Sequence, residues 1–178
     1  MSKARRIIKA AVVVGALAAL LAPLAAHADV RLFHDARDDT ASTADIRRVQ
    51  VDNSSHDRSK VIVGVRQGNI RNGDLIRVYF DTRPRDPGPE FAVTGTYGSE
   101  YGMSRMETWT SRRQFIPWEC GYRMRGDAAV GHTRIVVPRR CLDGPSRVRV
   151  AVLVQRGYPP TSTDWAKARR SWLDWVSR

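Results

Sequence analysis

Between Arg147 and Val154 the chain alternates without a break: Val148, Val150, Val152 and Val154 on one side, Arg147, Arg149, Ala151 and Leu153 on the other. Alternation with a period of two, built from β-branched residues, dictates a strand with one face in a core and cannot be satisfied by a helix. The same pattern recurs in shorter runs. Val49 and Val51 oppose Arg48, Gln50 and Asp52, and Val61, Val63 and Val65 oppose Ile62, Gly64 and Arg66. A second strong strand runs from Leu75 to Asp81, after an Asn72-Gly73-Asp74 turn. Weaker runs lie near Val30–His34, Phe91–Thr94, Tyr101–Trp109, Phe115–Cys120, Tyr122–Met124 and His132–Val137. About ten short strands, separated by Gly, Pro, Asn and Asp, predict an all-β, antiparallel β-sandwich of jelly-roll-like form, with no βαβ alternation. The tail reads as a short C-terminal helix, with Thr163 as its cap and Trp165, Ala168, Trp172 and Trp175 at helical spacing. The Trp172–Val176 residues fit a closing strand as well.

The N-terminus stands apart from this pattern. Lys3, Arg5, Arg6 and Lys9 precede an apolar run from Ala10 to Leu24, and Ala26-His27-Ala28 provides the small residues of a cleavage site. Residues 1–28 therefore read as a cleaved signal peptide, with general secretion favoured over twin-arginine export, and the product as a secreted, extracellular protein. The apolar run is too short for a comfortable membrane span, and the mature protein is not expected to cross a membrane. What remains, residues 29–178, is one domain of 150 residues, long enough for a real core. The leader holds four basic residues and no acids, which takes the formal charge from +12 to +8. Lys60 and Lys167 are the mature lysines, so the positive charge is arginine. Arginine suits bidentate contacts to carboxylates and phosphates, as on an acidic cell-envelope polymer; arginines spread over solvated strand faces are the plainer account. No dense basic run exists, which argues against nucleic acid.

Cys120 and Cys141 are an even pair in an exported chain, and so predict one disulfide. It closes a loop of about 20 residues, worth ~3 kcal/mol by chain entropy. Asp35, Asp38, Asp39 and Asp45 form an oxygen-rich stretch that could hold calcium, or a solvated loop paired with Arg37, Arg47 and Arg48. No other cofactor is expected. Past Asp81-Thr82, Pro84, Pro87 and Pro89 stiffen a charged loop, and Asp81, Arg83, Arg85 and Glu90 are candidate ligand contacts there. Asp81 reads more readily as a turn residue bonding its own backbone than as half of a catalytic dyad. No nucleophile elbow exists and His34, His56 and His132 are scattered, so binding is favoured over catalysis. Aromatic rings on a sandwich face can stack on sugars. Trp172 and Trp175 are the expected exposed pair, and Trp118, beside a cysteine, is expected in the core.

One resemblance can be stated. The order Asp35, Asp45-Ile46, Gly73-Asp74, Asp81-Thr82, Gly88-Pro89-Glu90-Phe91, Cys120 and Pro138-Arg139-Arg140-Cys141-Leu142 is similar to that of small secreted actinobacterial β-sandwich proteins. More distantly it resembles DOMON-like and family-9 carbohydrate-binding modules. The likeness covers most of residues 30–155 and implies an extracellular β-sandwich; together with the net positive charge and the tryptophans it points to recognition of a glycan or acidic envelope polymer. The rival expectations are a secreted hydrolase using carboxylates near Asp81, and an inhibitor-like or structural envelope protein that offers the loop 83–90.

Overall fold

The computed structural model describes residues 30–36, 44–54, 59–86 and 88–178. Its strands are β1 (Val30–His34), β2 (Ile46–Asp52), β3 (Lys60–Gln67), β4 (Leu75–Asp81), β5 (Phe91–Thr96), β6 (Tyr101–Met106), β7 (Arg112–Ile116), β8 (Arg123–Asp127), β9 (His132–Pro138), β10 (Arg147–Arg156), β11 (Ser162–Trp165) and β12 (Val176–Ser177). All pairings are antiparallel. One sheet has the order β1-β2-β3-β9-β8; the other runs β11-β10-β4-β5-β6-β7, with β12 also on β10. The all-β sandwich expected from the alternation is the observed fold.

The apolar faces of the two sheets meet as one core. Val148, Val150, Val152 and Val154 of β10 and Ile76, Val78 and Phe80 of β4 lie on one side of it. Val49, Val51, Val61, Val63, Val65, Ile135 and Val137 come from the five-stranded sheet. Each such side chain, fully removed from water, contributes about 1.5–3 kcal/mol against entropy. Specific bonds tie the layers as well. Asp164 Oδ2 accepts the Ile46 N–H at 2.6 Å, and the Asn53 amide donates to the Val176 carbonyl at 2.8 Å.

The expected disulfide joins Cys120 to Cys141, with Cα atoms 5.9 Å apart. Cys120 lies in the connection from β7 to β8 and Cys141 in that from β9 to β10. Both connections pass between sheets, so the bridge pins two crossovers together.

Two expectations need correction. Residues 163–177 form no helix: Thr163 pairs with Gln155 and Val176 with Val148. Between them the Ala166 N–H donates to Val152 O at 3.1 Å and the Leu173 N–H to Val150 O at 2.9 Å. The tail thus returns repeatedly to the edge of β10, whose backbone groups need partners that a helix would not supply. Trp118 is not in the core. It sits in a single 3-10 turn, Trp118–Cys120, and is 53% exposed. Tyr122 is buried instead and Trp118 stacks on it, with ring centres 4.9 Å apart.

Candidate ligand-binding trough

The outward face of the seven-stranded sheet carries a second apolar cluster: Tyr79, Ala92, Met106, Ala151 and Leu153 are buried there, with Trp109, Trp165 and Trp172 packed on them. Strand register explains the grouping. Trp165 stands beside Leu153, Leu153 beside Arg77, Arg77 beside Thr94, and Thr94 beside Gly102. That row crosses β11, β10, β4, β5 and β6, four steps or roughly 19 Å at the usual strand spacing.

At one end, Tyr79 and Trp165 lie almost parallel, 5.9 Å apart and 7° between planes. Trp109 meets Tyr79 edge-on at 4.9 Å and Trp165 at 5.8 Å. The Tyr79 hydroxyl donates to Trp109 O at 2.8 Å, which fixes the β6–β7 hairpin over the sheet. These rings border a hollow of about 580 Å³, edged by Thr110, Gln155, Thr163, Arg169 and Arg170. At the other end, Phe115, Trp118 and Tyr101 border a hollow of about 500 Å³ floored by Thr94, Gly102 and Ser104. A Cβ added at Gly102 would meet nothing within 4 Å, so the sheet surface is open there.

Arg77 lines both hollows and stands between them, so the two lie in line along the row as the two halves of a trough. Its Nε donates to Thr94 Oγ1 at 2.8 Å and its Nη1 to the Tyr79 hydroxyl at 3.2 Å. The guanidinium is therefore held in place, with donors to spare. Burial, the largest influence, pushes the Tyr122 phenol above its ordinary value, so it stays a neutral hydroxyl bonded to Ile116 O. The arrangement can stack flat rings at either end and donate hydrogen bonds between them.

Several residues expected from sequence to bind gather around Arg149, outside the trough: Asp81, Trp172 and Trp175 touch it, and Glu90 lies beside Asp81. Asp81 is fully buried: Arg149 Nε and Nη2 reach Oδ2 at 2.8 and 2.6 Å, and the Arg83 N–H donates to Oδ1 at 3.0 Å. The turn reading of Asp81 is thus realised. Its carboxylate, a candidate ligand contact from sequence, is engaged by Arg149 and by the Arg83 N–H. Arg83 points to Asp143 at 3.7 Å, and Arg85 is exposed on the loop. Glu90 Oε2 accepts the Thr82 N–H at 2.7 Å, and its carboxyl is raised by burial first and by Asp81 as well. Trp172 and Trp175 are half-buried rather than open. The Arg149 guanidinium sits over both rings, at 5.2 and 4.7 Å, and Arg147 covers Trp175 at 5.2 Å. Trp172 touches the trough through Trp109, 4.7 Å away.

Of the calcium candidates, Asp38 and Asp39 lie outside the described residues. Asp35 Oδ1 accepts the Lys167 N–H at 2.9 Å, and Asp45 pairs with Arg47 Nε at 3.2 Å. Among the described residues no three His, Cys, Asp or Glu side chains are placed to hold a metal ion, and no helix is long and apolar enough to cross a membrane.

The trough residues Arg77, Tyr79, Trp109, Trp165 and Phe115 were not singled out by sequence. The one available signal was the outward i, i+2 pair Arg77 and Tyr79 on a strand whose other face is fully apolar. No protein-family model matches the chain, and no curated protein or solved structure matches it either.

Proposed function

We propose that this chain is a secreted, non-enzymatic binding protein that holds an extended glycan in the trough across its seven-stranded sheet. The observation that carries the reading is Arg77, fixed by two hydrogen bonds between two aromatic platforms. Sugars present an apolar C–H face to an aromatic ring and hydroxyls at the rim, which suits rings separated by bound donors and threonines. Arg169 and Arg170 at the edge of the first hollow favour acidic substituents at that end. The resemblance to carbohydrate-binding sandwiches and the export signal support the same reading.

The test is a titration of tryptophan fluorescence with neutral β-glucan oligosaccharides and soluble peptidoglycan fragments. Binding should shift the emission, and Trp165→Ala and Phe115→Ala should each weaken it about fivefold, the loss of roughly 1 kcal/mol of ring stacking. A wild-type protein that binds none of them, or a Trp165→Ala protein that binds as tightly as wild type, overturns the reading.

A further inference from the structure

The opposite face of the sandwich offers a different chemistry. Outward positions of the five-stranded sheet place His34 beside Arg48, Arg48 beside Arg66, and Arg66 beside His132. One step along the strands, Arg134 stands beside Gly64 on one side and Arg125 on the other. Among the described residues the side chains of Arg48, Arg125 and Arg134 have no hydrogen-bond or ion-pair partner. Arg66 spends one nitrogen on Val130 O at 2.6 Å. Three acids border this face: Asp35 lines the hollow by His34 and Arg48, Asp52 lies by Gly64, and Asp127 stands opposite His132, each with an oxygen accepting a backbone N–H. The field is felt at His132: burial first, then Arg66, Arg48 and Arg134, hold its imidazole below the ordinary value, with Asp127 opposing.

The surface is also shaped. A hollow of about 310 Å³ lies by His34, Arg48 and Arg66, and another of about 180 Å³ lies over Gly64, between His132 and Arg134. Gly64 leaves the second one open, since a Cβ there would come within 3.1 Å of His132 Nε2.

We infer that this row, His34–Arg48–Arg66–His132 with Arg134 beside it, docks a carboxylated polysaccharide strand lying across β1, β2, β3 and β9. Two observations choose this occupant. The donors repeat once per strand, at ~4.8 Å, so a linear polyanion lying across the strands meets a cationic or imidazole donor at every strand it crosses. The positive groups form a narrow stripe bordered by Asp35, Asp52 and Asp127, which suits a single linear polymer better than a broad anionic bilayer. The inference goes beyond the glycan trough, which lies on the other sheet and uses none of these residues.

The experiment measures retention of the full mature protein on immobilised polygalacturonate at low salt, beside the fully methyl-esterified polymer, long-chain polyphosphate and vesicles containing anionic lipid. Polygalacturonate should retain the protein and the ester should not. The variant R48Q/R66Q/R134Q, its fold checked by an unchanged melting temperature, should lose on the order of tenfold in affinity, as three exposed charge pairs imply, and show a shallower salt dependence. Trp165→Ala should bind polygalacturonate as wild type does, which separates failure here from failure of the trough. Equal retention on the ester, unchanged binding by the triple variant, or binding to polyphosphate or vesicles without binding to polygalacturonate each overturns the inference.

Discussion

Arg149→Ala tests how the core, the tail and the loop after β4 are joined. The arginine reaches out from β10 to Asp81, which is 0% exposed, and is itself only 20% exposed. Removing it leaves a buried carboxylate beside Glu90 without its counter-charge, a change that costs about 3–5 kcal/mol in comparable pairs. The same guanidinium stacks on Trp172 and Trp175, and each such contact is worth ~0.5–1 kcal/mol at a partly exposed site. The two losses share one side chain and will not add fully, so we expect about 4 kcal/mol. At about 2–4 °C per kcal/mol for a domain of this size, the melting point should fall by roughly 8–16 °C. Urea unfolding followed by tryptophan fluorescence gives the free energy, and calorimetry gives the melting point. A cycle with Asp81→Asn apportions it: the double variant should recover much of the loss, because the orphaned charge is gone. A melting point for Arg149→Ala close to wild type, or a negligible coupling in the cycle, would refute the assignment of this pair as the joint between β10, β4 and the tail.

Glu90 has a raised carboxyl, so its folded form holds a proton more firmly than its unfolded form does. Its contribution to stability is present below the ordinary carboxyl value and is lost as pH rises through the raised one, and Glu90→Gln should remove that slope from urea melts taken across mildly acidic pH. Gly126→Ala pushes a methyl group into the ring of buried Tyr97 and should cost about 1–3 kcal/mol by denaturant unfolding. Replacing both Cys120 and Cys141 by Ser should cost about 3 kcal/mol, seen as a lower melting point that added reductant does not change further. Chelator should leave the wild-type melting point where millimolar calcium leaves it, since Asp35 and Asp45 are already engaged by Lys167 and Arg47.

Much of the framework was legible because it is local. The valines of β10 and β3 and the Asn72-Gly73 turn announce their role within a few residues, and two cysteines 21 positions apart can pair only with each other. Asp81 shows where that stops. Its bond to the Arg83 N–H spans two positions and was foreseen, whereas Arg149, which decides whether the carboxylate is available, is 68 residues away. The tail misled for a related reason. Trp165, Ala168, Trp172 and Trp175 stand at helical spacing, yet the chain leaves β10 after Ala166 and returns to it at Leu173. Periodicity counts positions and is blind to that detour. The trough and the arginine row were hidden for the same cause: both are rows across strands, and their neighbours are set by sheet order and register.

Sheet order also explains why the tail matters to the site as well as to the core. Ala166, Leu173 and Val176 turn inward and close the core beside β10, while Trp165 and Trp172 turn outward from the same segment onto Tyr79 and Trp109. The first aromatic platform of the trough is therefore built by the element that satisfies the last open edge of β10. Arg147 and Arg149 hold that element down through Trp175 and Trp172, so the stiffness of the platform derives from the ion pair beneath it. The arginine row has no such dependence, because β2, β3 and β9 are fixed by their own ladders and by the valines under them. With about 10 Å of packed core between the sheets, a change to either face reaches the other through that core or through the bonds that tie the layers, Asp164 to Ile46, Asn53 to Val176 and Asp35 to Lys167.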